Sequence, residues 1–154
     1  MRGIRSLVSL GVLGTALFLG EGSTKAQATC TISTTSVAFG IYDVFTTTDL
    51  ASTGSVTYYC RHRPVNITVW LGKGLYGLTN NPRQMASGTN RLNYNLFLDA
   101  NHTQIWGDPS PYRYGPITPP NRTYVTLTVY GLIPAGQDVP AGTYTDSATV
   151  TINF

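Results

Sequence analysis

Histidines and paired carboxylates carry much of hydrolytic chemistry, and this sequence has few of either. His62 and His102 are its two histidines, and neither stands near a Ser or Cys in a nucleophile motif. G-x-S-x-G, H-E-x-x-H and the phosphate-binding loop are absent. Asp43 with Asp49, or Asp99 with Asp108, could pair as the two acids of a glycosidase. Isolated aspartates near Gly, Asn and Pro are far more often turn residues. Asp99-Ala-Asn101 supplies two ligands of a calcium loop without the rest of the pattern. The reading is therefore not an enzyme: no catalytic residue, cofactor, metal or small-molecule substrate is expected. Sequons at Asn66, Asn101 and Asn121 are chance matches in so Thr-rich a chain, and matter only where the host glycosylates. Ten Tyr and two Trp could build a sugar-stacking face, but most are expected as core or cross-strand partners.

Thiol chemistry depends on the compartment. Arg2 and Arg5 precede an apolar run from Leu7 to Leu19, and Ala26-Gln-Ala28 follows. That is the layout of a secretory signal peptide, and the run is short for a membrane anchor. Residues 1–28 are read as signal peptide, cleaved after Ala28, and 29–154 as one exported domain. In an oxidising compartment Cys30 and Cys60 most simply form a disulfide. The rival is two free or metal-bound thiols, although no His lies at zinc-finger spacing and His62 is a lone neighbour. The formal charge of +3 loses Arg2, Arg5 and Lys25 and regains one unit with Glu21, leaving +1. The remaining charges are scattered, so no nucleic-acid footprint is expected.

The elements that position these residues should be strands. Charged residues make up 11% of the chain, with one Glu and two Lys, whereas Thr, Tyr, Val, Asn, Gly and Pro abound. Alternation of period two runs through Val65–Leu71, Leu92–Asp99, Val125–Tyr130 and Tyr144–Phe154. Weaker strands fit Ser55–Cys60 and Thr31–Phe39, the latter with a bend near Thr35-Ser36. Five prolines between Gly107 and Pro120 predict a surface loop there. Six to eight short strands in one such domain suggest an antiparallel β-sandwich. A terminal apolar strand needs a neighbour on both sides, or it is a sticky edge.

Several segments, in order and spacing, carry a family resemblance. They begin with Cys30-Thr-Ile-Ser33, Val37-Ala-Phe-Gly-Ile-Tyr42, Gly54-Ser-Val-Thr-Tyr-Tyr-Cys60 and Arg83-Gln-Met85. Leu92–Asp99, Ile105-Trp-Gly107, Val129–Pro134, Gly142–Asp146 and Val150–Phe154 follow. The chain resembles the spore coat protein U family, whose members include subunits of archaic (Csu-type) chaperone–usher pili. The resemblance implies an all-β, incomplete immunoglobulin-like sandwich lacking its last strand. A periplasmic chaperone would fill its groove first. A neighbouring pilus subunit's N-terminal strand would then take over at an outer-membrane usher, leaving the subunit in a pilus on the cell surface. By match of position the groove lies between the first strand and the C-terminal strand. Val37 and Phe39 would line one side; Ala148, Val150, Ile152 and Phe154 would line the other. With only Thr29 before Cys30 after cleavage, the chain is expected to accept a strand but not donate one, as a chain-end or minor subunit does. The alternative is a self-contained, adhesin-like carbohydrate-binding module. Trp106, Tyr112 and Tyr114, near the proline-rich loop, are candidates for a contact surface.

Overall fold

The structure, a computed structural model, describes residues 27–62, 64–109 and 111–154. The expected signal peptide lies outside them, except for its last two residues. Among the described residues the regular elements are eight strands. They are β1 (Thr29–Thr35), β2 (Leu50–Arg61), β3 (Ile67–Leu71), β4 (Arg83–Ser87), β5 (Asn90–Phe97), β6 (Tyr114–Ile117), β7 (Tyr124–Ile133) and β8 (Val150–Asn153). They form an antiparallel immunoglobulin-like β-sandwich. One sheet has the order β1-β2-β7-β5-β4 and the other β6-β3-β8.

Alternation decides which side of each strand turns inward. Val56, Tyr58 and Cys60 on β2 are buried while Thr57 and Tyr59 are not. Leu92, Tyr94 and Leu96 on β5, Val129 and Ile133 on β7, and Met85 on β4 complete that sheet's inner face. Ile67, Val69 and Leu71 of β3 face them across the sandwich, with Trp106 among them. Burying each such side chain contributes about 1.5–3 kcal/mol. Cys30 and Cys60 are direct partners in the β1–β2 ladder and are bonded to each other, so the expected disulfide is present. That bond closes a separation of 30 residues.

The strands depart from the sequence reading in four places. Val65 is 83% exposed, because β3 begins two residues later. The proline-rich segment is not wholly loop: Tyr114–Ile117 pairs with β3 as an edge strand, where Pro116 interrupts no central ladder. Arg83–Ser87 is a strand, although its polar ends hide the alternation. Of the expected strand Tyr144–Phe154, only Val150–Asn153 is regular; Tyr144–Thr149 is extended chain with a single bridge, Thr145 to Ala86. The bend expected near Thr35-Ser36 coincides with the end of β1.

Candidate functional site: an apolar cleft between two edge segments

After β1 the chain leaves the sheet and crosses its inner face. Room for this crossing comes from two glycines. A Cβ on Gly131 would stand 2.6 Å from Val37 Cγ1 and 2.7 Å from Phe39 Cζ; one on Gly54 would stand 2.9 Å from Val37 Cγ2. Real Cβ contacts do not come so close, so a side chain at either position would push the crossing segment off. Ser52 Oγ donates to Ala38 O at 2.7 Å, and Phe39 meets the Tyr94 ring edge-on at 6.1 Å.

The opposite wall is the stretch before β8. Backbone bonds join Ala86 N to Thr145 O (2.9 Å), Thr145 N to Ala86 O (3.1 Å) and Gly72 N to Thr149 O (2.8 Å). Asp146 fastens this wall to the floor, accepting from Tyr94 OH at 2.7 Å and from Leu75 N at 2.8 Å. Burial, then the bond to Asp146, pushes the Tyr94 phenol above its ordinary pKa, so it keeps the proton it donates. The walls meet at one end, where Tyr42 OH donates to Pro134 O and accepts from Gln137 N. The Gln137 amide also pairs with Asn93 N and O, standing in for a neighbouring strand on β5.

Between the walls lies a cleft of about 1060 Å³. Its floor is Val56, Met85, Leu92, Tyr94, Leu96, Val129 and Ile133, with Leu71 from the other sheet. Val37, Phe39 and Ala148 line it. Val150 and Ile152 do not; they are half-buried on β8, opposite Leu71 and Val69 of β3. Phe154 is 52% exposed beyond the strand. β8 has β3 as its neighbour on one side and, among the described strands, none on the other. Ile41, on the rim, is 93% exposed.

Next to the cleft, behind Tyr94 and Leu71 of its floor, the two sheets are held together. Arg83 is fully buried, and its guanidinium donates to Gly72 O (2.9 Å), Asn95 Oδ1 (2.7 Å) and Trp106 O (2.6 Å). These bonds span both sheets and the loop after β5. Burial lowers its pKa to about 10, still far above neutrality, so the group stays charged. Trp106 donates its indole N–H to Val69 O at 3.0 Å and is fully buried. The expected aromatic surface is thus divided: Trp106 is core, Tyr114 is half-buried against it at 6.4 Å, and Tyr112 alone is exposed. Large size and a need for one hydrogen-bond partner suit a Trp to such a position.

The four acids that could have paired each brace a turn of their own. Asp43 accepts from Phe45 N, Asp49 from Ala135 N, Asp108 from Arg113, and Asp99 from Thr103 and Gln104. The backbone bond from Gln104 comes first among the causes holding the Asp99 carboxyl below its usual range. Sequence reasoning missed the floor of the cleft, since strands read singly do not say which inner faces stay uncovered. It also missed Arg83, whose burial nothing local announces.

Residues 16–151 match the Spore Coat Protein U domain. Protein U of Myxococcus xanthus is 34% identical over 132 residues, which is 75% of this chain and 70% of that protein. The fold is similar to a chain in the crystal structure of the CsuC–CsuE chaperone–tip adhesion subunit pre-assembly complex. That complex comes from archaic chaperone–usher Csu pili of Acinetobacter baumannii. The TM-score is 0.58 at 26% identity, over 83% of this chain and 40% of the other.

Proposed function

The chain belongs to the Spore Coat Protein U domain family, and from that premise we propose that it is a structural subunit of a chaperone–usher pilus. Another chain's strand fills its groove. One observation carries the reading: an apolar cleft of about 1060 Å³ beside a β8 edge that has no second neighbour among the described strands. A strand laid there would pair its backbone with an open edge and set alternate side chains on the floor. Each apolar side chain fully buried would contribute about 1.5–3 kcal/mol, enough in sum for a long-lived non-covalent joint.

In this proposal Val37, Phe39 and Ala148 receive the incoming side chains, and Val150, Ile152 and Phe154 continue the acceptor along β8. The partners are a periplasmic chaperone, an outer-membrane usher and neighbouring subunits. The similar chain from a chaperone–subunit complex and the disulfide support such partners and an oxidising route of export. If processing follows Ala28, too little chain precedes Cys30 to reach a neighbour's groove, and the subunit sits at a chain end or in a minor position. N-terminal sequencing of the secreted protein tests that placement; an apolar extension before Cys30 would remove it.

A self-contained adhesin-like module has one observation in its favour, since Val37 and Phe39 already cover part of the floor. Size-exclusion chromatography of the periplasmic protein, with and without a co-expressed archaic chaperone, separates the two. A one-to-one complex, with aggregation when the chaperone is absent, supports the pilus subunit. A cooperatively melting monomer without chaperone supports the closed module.

A further inference from the structure

The outer face of the five-stranded sheet lies on the opposite side of that sheet from the cleft. Register places Thr31, Tyr59 and Tyr124 in one row across β1, β2 and β7, and Ser33, Thr57 and Thr126 in the next. Neighbouring side chains on this face stand about 4.8 Å apart across strands and about 7 Å along them. Thr57 and Thr126 share a hydroxyl hydrogen bond of 2.9 Å. The Tyr59 and Tyr124 rings lie 4.6 Å apart at 34°, and Tyr124 is 73% exposed. Half-buried Tyr59 and exposed Tyr124 stack on each other at a tilt, and the ring face of Tyr124 turned away from Tyr59 is a stacking surface with a border of hydroxyls.

A basic corner adjoins this platform. Tyr59, Arg61, His62 and Arg122 line a surface hollow of about 330 Å³, and no carboxylate is among them. The ion pair found among the described residues is Arg113 with Asp108, so neither Arg61 nor Arg122 is neutralised by an acid there. Arg61 stands over the Tyr59 ring, 5.7 Å from its centre. The corner is also held in place. Arg122 N donates to the carbonyl of Cys60 at 2.9 Å, and Cys60 is the fully buried disulfide residue. His62 and Arg122 both hold positive φ angles, 52° and 53°, which non-glycine residues adopt at a cost.

We propose that this corner and platform bind an acidic polysaccharide of the uronate type. The carboxylate sits between the Arg61 and Arg122 guanidiniums, and the sugar ring stacks on the outer face of Tyr124. Guanidinium forks match carboxylates in geometry and charge. The hydroxyl rows receive the sugar hydroxyls of the chain beyond. Nucleic acid is the poorer fit, because the bases form one corner and not a stripe along which a phosphate backbone could run. The site stands independently of the groove, since filling the cleft leaves this face uncovered.

The test is affinity electrophoresis of the exported full chain in gels carrying polygalacturonate, dextran or duplex DNA. Retention by polygalacturonate beyond that by dextran is expected. Arg61→Gln with Arg122→Gln should weaken it about tenfold, and Tyr124→Ala about fivefold. All three residues are exposed, so an unchanged melting temperature and an intact disulfide confirm that each variant is folded. Unchanged retention of the variants overturns the proposal, as does equal retention by dextran or stronger retention by DNA.

Discussion

Two adjoining regions of this sandwich are built on opposite plans. Around Arg83 and Trp106, side-chain donors reach across to backbone carbonyls of the facing sheet, and the gap between sheets closes. Along the cleft, apolar side chains from both walls face one another across about 1060 Å³. The difference lies in what each region can do alone. A buried guanidinium must meet its partners within its own chain, because leaving them unpaired costs more than the bonds return. An apolar floor has no such obligation and leaves no polar group unpaired when it stays open.

The most severe break in this contrast is Arg83→Met. It leaves the carbonyls of Gly72 and Trp106 and the amide oxygen of Asn95 without their donor. A loss of about 3–5 kcal/mol is expected in urea unfolding, and a loss below 1 kcal/mol would mean that the sheets are not held together there. Replacing Cys30 and Cys60 together by Ser should cost about 3–4 kcal/mol in the same measurement. Gly131→Ala acts on the open region alone. Its methyl group would displace Val37 and Phe39 at an expected cost of about 1–3 kcal/mol. Hydrogen exchange should then quicken in 36–44 and stay unchanged around Trp106. Tyr94→Phe removes the bond to Asp146 and should cost about 1 kcal/mol, with faster exchange confined to 144–149.

Acid is the mildest probe. The Asp99 carboxyl is held below the usual value of about 3.9. Its contribution is therefore present above that value and is lost as the pH falls through the lower folded one. Asp99→Asn should flatten the fall in melting temperature below about pH 4 by a small amount, because the group is partly open to solvent and its bonds are confined to one turn.

Inner and outer faces were readable wherever a strand is apolar on one side only. Val125, Leu127 and Val129 against Thr126 and Thr128 is such a case, and β7 follows it throughout. β5 obeyed the pattern less fully, since Asn95 and Phe97 on its second face are buried too. There the loop carrying His102 covers Phe97, a contact fixed by tertiary structure. β4 was hidden because its strand begins with the buried Arg83. The lining of the cleft was legible in part: Val37, Phe39 and Ala148 could be named from position, whereas Val150, Ile152 and Phe154, named with them, lie outside it. The floor could not, because it is the same inner face that elsewhere serves as core. Gly54 and Gly131 read as weak points in strands, and their purpose shows only once Val37 and Phe39 lie on them.

The position of the disulfide has a mechanical consequence. Cys30 and Cys60 face each other across the ladder, near the start of β1 and the end of β2. A pull on the N-terminus therefore crosses through sulfur to Cys60, at the end of β2, and runs on along the chain that follows it. The edge strand cannot unzip one hydrogen bond at a time, and the 30 residues of separation between the cysteines stay out of the stretched length, roughly 100 Å of contour at about 3.3–3.6 Å per residue. Under load β1 and β2 stay a closed loop that takes no tension, and only the chain after Cys60 can be drawn out.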